Sequence, residues 1–97
     1  MARVLAIGRM QQVMDHVLAE LRAAGYEAEG AIDDDAVIAM AAASSFDVLV
    51  IGGGVSQDDR ARIIERVTAA SPGIAIAQPN GPGAVMAAVR EALGDGA

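Results

Sequence analysis

Four times along this chain a short apolar run gives way to a stretch whose apolar residues recur every three or four positions. Continuous Val, Ile and Leu suit a strand covered on both faces, whereas the longer period marks one face of a helix. Strands separated by helices pair in parallel through right-handed crossovers. Helices then cover both sides of the sheet.

The first run is RVLAIG, Arg3 to Gly8, followed by a helix over Met10 to Ala24 with Val13, Met14, Val17, Leu18 and Leu21 on one face. Gly25 is the expected stop. YEAEGAI, Tyr26 to Ile32, alternates and reads as a less buried edge strand. Asp33 to Asp35 cap the next helix and place negative charge at its positive end. That helix extends to about Ser44, with Val37, Met40 and Ala41 inward. FDVLVIGG is the most apolar strand and belongs at the centre. Ser56 or Gln57 opens a third helix with Ile63, Ile64 and Val67 inside, ended by Pro72 and Gly73. GIAIAQ is the fourth strand. Asn80 or Gly81 caps the last helix, with Pro82 at its first position and Val85, Met86, Val89, Ala92 and Leu93 inward.

These elements predict an α/β fold: a three-layer, flavodoxin-like or Rossmann-like doubly wound sandwich with four parallel strands in the order 2-1-3-4 and four helices. It occupies residues 1–94 as one domain, and 95–97 form a frayed tail. Ligands of such sheets bind at the carboxyl ends of the strands, where the winding reverses. Here that point brings Gly8, Arg9 and Met10 together with Gly52, Gly53, Gly54 and Ser56, and Gln78 ends the fourth strand.

Composition narrows the chemistry. At 97 residues, with one Phe, one Tyr and no Trp, the core is built from small aliphatic side chains, which favours help from a second copy of the chain. The absence of cysteine excludes disulfides, thiolate metal sites and thiol catalysis. All seven basic residues are Arg, so lysine Schiff bases and the P-loop are excluded. A formal net charge of −6 argues against nucleic acid and against anionic membrane surfaces. MARVLAIGRM has too short an apolar core for a signal peptide, and no run approaches a membrane span. A soluble cytoplasmic protein is expected.

The stretch FDVLVIGGGVS invites two readings. Gly52 to Gly54 could turn backbone N–H groups toward an anion at the start of the third helix, or form a tight turn that needs positive φ. Arg9 beside it is either a cation suited to a phosphate or carboxylate or a solvated loop residue. His16 is the sole histidine, placed to pair with Glu20 one turn on, and offers no metal cluster. Asp33 to Asp35 read as a cap with solvated neighbours. The charges of the third helix read as a solvated face, and the methionines as packing. No Ser–His–Asp set, carboxylate pair or metal-ligand spacing can be assembled, so an enzyme is not expected and no cofactor is implied.

AAGYEAEGAIDDDAVIAMAAASSFDVLVIG resembles the second strand, second helix and third strand of a response-regulator receiver domain. IAIAQPNGPGAVMAAVREALG resembles its final strand, basic–Pro step and last helix. The total is short by about one strand–helix unit. The resemblance implies acidic residues after the first strand, where this chain has Gly8 and Arg9. It implies a phosphoacceptor Asp at the end of the third, where Gly52 stands, followed by Gly53. The expected Lys is Gln78, with Pro79 retained. The implied module lacks the usual phosphorylation site and acts through protein contacts, as a homodimer or with another protein partner. The alternative is a binder of a small phosphate- or carboxylate-bearing ligand across Gly8, Arg9 and Gly52 to Ser56. A dinucleotide fingerprint is absent, because IGRMQQ puts Met10 where the second glycine belongs. A likeness to cobalamin-binding domains fails because Asp15 and His16 are adjacent and lie within a helix.

Overall fold

The computed structural model describes residues 2–94; the tail expected at 95–97 lies outside them. The elements are β1 (Arg3–Ile7), α1 (Gln11–Ala23), β2 (Glu27–Ala31), α2 (Asp34–Ala43), β3 (Val48–Ile51), α3 (Gln57–Ala70), β4 (Ala75–Ala77) and α4 (Val85–Leu93). The four strands form one sheet in the order β2-β1-β3-β4, all pairs parallel. This is the predicted doubly wound arrangement.

Residues alternate across the sheet, and the alternation sorts them by size. Leu5, Ile7, Leu49 and Ile51 face α2 and α3, where Val37, Ala41, Ile63 and Val67 complete a core. Val4, Ala6, Val48, Val50 and Ala77 face α1 and α4, where they meet Met14, Val17, Leu18, Leu21, Val85 and Val89. All four residues of β3 are buried, as a central strand covered on both faces requires. Each large aliphatic side chain so buried contributes about 1.5–3 kcal/mol.

The helix boundaries follow local chemistry. Gly25 adopts φ 97° after α1, a left-handed conformation that glycine enters without steric cost. Asp33 caps α2 by accepting from the Ala36 N–H at 3.0 Å, and Ser56 caps α3 through the Asp59 N–H at 3.2 Å. The last helix departs from expectation. Neither Asn80 nor Gly81 caps it; a 3-10 turn over Pro82–Ala84 precedes it and Ala84 is its N-cap. The Ala84 N–H donates to the Gly81 carbonyl, so a tighter backbone turn does the work assigned to a side chain. The two outer strands are shorter than the runs that predict them, and among the described residues no peptide bond is cis, the Gln78–Pro79 bond included.

Candidate functional site

The carboxyl ends of β1 and β3 lie side by side, with Ile7 opposite Ile51. The Gly52 N–H donates to the Ile7 carbonyl at 2.8 Å, which brings Gly8 and Gly52 into contact distance. A side chain at Gly52 would place its Cβ 3.3 Å from the Ile7 oxygen. The glycine is favoured by close approach and not by positive φ: among the described residues only Gly25 and Gly94 lie in the left-handed region. The expectation of a positive-φ turn in GGG is corrected accordingly.

Arg9 is neither free nor simply solvated. Its Nη1 lies 2.6 Å from Asp34 Oδ1 and donates to the Ile32 carbonyl at 3.0 Å. Its Nη2 donates to Asp59 Oδ2 at 3.0 Å. Arg62 Nη2 donates to the second Asp34 oxygen at 2.6 Å. Asp34 is buried, so the reading of Asp33 to Asp35 as a cap with solvated neighbours holds at the cap and fails at Asp34. The Arg9 contact to Oδ1 is an ion pair outside good hydrogen-bond geometry, since no N–H is aligned on that oxygen. Arg9, and after it Arg62, holds the Asp34 carboxyl below the usual carboxylate range, against the opposing pull of burial. Asp34 in turn raises the Arg9 guanidinium above its ordinary value. Two arginines and two aspartates thus neutralise one another at the junction of β1, α2 and α3.

A second arginine of α3 was also read as part of a solvated face. Arg60 Nη2 donates to the carbonyls of Gly52 and Val55 at 3.0 and 3.2 Å, and its Nη1 donates to Gln78 Oε1 at 3.0 Å. It ties the glycine loop to the end of β4. A single sequence carries one signal for this: Arg60 lies in the first turn of α3, one turn after the cap residue Ser56, within reach of the loop it closes.

On the other side of the strand ends lies a cleft of about 380 Å³. Gly8, Arg9, Met10, Gly52, Gly53 and Gly54 all contribute to its walls, so six of the eight predicted residues meet there. Ser56 and Gln78 do not; with Gly53 and Arg60 they border a neighbouring hollow. Apart from Asn80 the rest of the lining is apolar, with Val13, Met14 and Val17 of α1, Val50 of β3 and Val85 of α4 around it. Met10 stands at its edge with 64% of its surface exposed, unlike the packing role expected of the methionines. Among the described residues no three His, Asp or Glu side chains gather as a metal-binding group, and no helix is long and apolar enough to cross a membrane. His16 lies 3.8 Å from Glu20 at the surface.

No protein-family model matches the sequence, and no curated protein does. Solved structures do. The chain is similar to the chemotaxis protein CheY4 of Vibrio cholerae, at 26% identity over 80% of this chain and 67% of that one, with a TM-score of 0.71. It shares the fold of the receiver domain of the hybrid histidine kinase CckA, at 17% identity over 95% of this chain and 99% of that one, with a TM-score of 0.71. Sheet order, helix placement and these likenesses together show that the chain has the fold of the CheY-like receiver domains.

Proposed function

We propose that the chain is a regulatory or protein-interaction module of the receiver fold that works in the cytoplasm without phosphorylation at the usual position. The observation that carries this reading is the state of the strand ends. β3 runs into Gly52 and Gly53, which have no side chain to accept a phosphoryl group. The cation after β1 is engaged by Asp34 and Asp59, and Gln78 accepts from Arg60. Mg²⁺ is bound through carboxylate oxygens, and the two carboxylates that meet Arg9 at this edge, Asp34 and Asp59, are occupied by arginines.

Incubation with acetyl phosphate and Mg²⁺, followed by intact-mass spectrometry, tests the reading: the chain is expected to keep its mass, and stoichiometric gain of one phosphoryl group sinks it. The same reading pairs the chain with a second copy. Supporting this, β4 is an edge strand bonded to β3 on one side only, and unpaired edges are templates for pairing. Light scattering at tens of micromolar should give the mass of two chains; the mass of one removes the homodimer. The anionic-ligand alternative loses support from Arg9, because its charge is already balanced within the protein.

A further inference from the structure

The cleft between α1 and α4 has no part in that reading. Its size falls within the range of small-molecule sites, about 300–1,000 Å³, and it lies where ligands of doubly wound sheets bind. Its origin is visible in the packing. α2 and α3 pack closely on one another over one face, whereas α1 and α4 make no comparable contact over the other. Beneath that gap the strands present Ala6 and Val50. Met14 reaches the end of β1, with its Cε 3.4 Å from where a Gly8 side chain would begin.

The lining selects the chemistry of an occupant. Among the described residues Arg9 is the only charged one in it, and its guanidinium is spent on Asp34 and Asp59. Nothing in the walls is left to balance a charge, and the chain as a whole is at −6. Burying an unbalanced anion or cation there would be costly. The polar groups at the rim are uncharged: Asn80, and the N–H groups of Gly53 and Gly54, which have no acceptor among the described residues. At 30 Å³ per liquid water, the space holds the share of about a dozen waters.

We propose that this cleft binds a small, uncharged, mostly apolar molecule carrying one hydrogen-bond-accepting oxygen, its body between Val13, Val17 and Val85 and its oxygen toward Gly53 and Gly54. The proposal goes beyond the regulatory reading and survives its failure: a phosphorylated chain would still possess the cleft. Acetophenone serves as the probe, with toluene and benzoate as comparators, followed by amide chemical shifts of the full chain at neutral pH. Acetophenone should shift Val13, Gly53, Gly54 and Val85 saturably. Toluene should bind more weakly in the same place, and benzoate at least tenfold more weakly. Val13→Trp fills the cleft and should abolish the shifts while keeping a folded spectrum. Val13→Ala, which removes wall without adding bulk, should weaken acetophenone by about fivefold and keeps the test decisive if the larger side chain unfolds the domain. Absence of saturable shifts with acetophenone, tighter binding of benzoate, undiminished binding by folded Val13→Trp, or shifts at the cleft that follow protein dilution instead of the probe each overturns the proposal. The last outcome would mean that a second copy covers this surface.

Discussion

Under α2 and α3 the sheet presents Leu5, Ile7, Leu49 and Ile51, and the strand ends are sealed by Arg9, Asp34, Arg62 and Asp59. Under α1 and α4 the same strands present Val4, Ala6, Val48 and Val50, and the strand ends border an open apolar cleft. One backbone, read at alternate residues, therefore builds a paired charged junction on one face and an open apolar cleft on the other. The difference shows that charge at a sheet edge is no sign of an available binding charge. Where two arginines and two carboxylates satisfy each other, ligand selectivity passes to the uncharged side.

Four kinds of change would break or sharpen this contrast. The largest effect is expected at the closed junction. Asp34→Ala leaves Arg9 and Arg62 without their shared partner and should cost about 3 kcal/mol in urea unfolding, at the low end for a broken buried pair because both arginines reach water. Asp34 also gives the contrast a pH signature. Its folded carboxyl is held low, so its contribution is complete above the ordinary carboxylate value of about 3.9 and is lost as pH falls through the lower folded value. The stability gap between the native chain and Asp34→Asn should therefore hold from neutrality to about pH 5 and narrow in more acid solution.

The same substitution on the two faces should next give opposite signs. Val37→Ile adds a methylene to a fully buried site beneath α2 and should cost about 1–3 kcal/mol by overpacking. Val50→Ile adds it to the wall of the cleft and should stabilise by about 0.5 kcal/mol or more as a filled cavity. Equal penalties in thermal unfolding would mean that the two faces are equally full. A smaller change is expected at the loop tie: Arg60→Ala removes donors to Gly52, Val55 and Gln78 and should cost about 1 kcal/mol, with amide shifts confined to the glycine loop and the end of β4. Smallest of all, His16→Ala should stay within about 0.5 kcal/mol, since its ring is exposed and its contact to Glu20 is long.

The layered fold was legible because its signals are local. Apolar runs, the change of period after each strand, Gly25 and the caps at Asp33 and Ser56 act within a few residues of themselves, and their order implies the sheet order β2-β1-β3-β4. Six of the residues at the cleft were legible for the same reason, since they end β1 and β3 or follow directly. Ser56 belongs to the neighbouring hollow because Val55 carries the chain past the cleft before α3 begins, and Gln78 is held there by Arg60.

Partnerships between distant residues were not legible. Arg9 meets Asp59 fifty positions away, and Arg62 meets Asp34 twenty-eight away; in the sequence each is one charge among many. Arg3 is a further case, donating to Ser45 and Glu29 and lying 4.6 Å over the Phe46 ring. In a chain with seven Arg and no Lys, each planar fork of donors can reach several acceptors, and which acceptors come within reach depends on how the elements dock. The sequence by itself determined the alternation of strands and helices, the parallel sheet and the place where its winding reverses, because hydrophobic period and chain connectivity leave few alternatives. Only the tertiary structure decided that the arginine at that place is neutralised and that the space beside it is apolar, because both follow from distances between elements that no local pattern records.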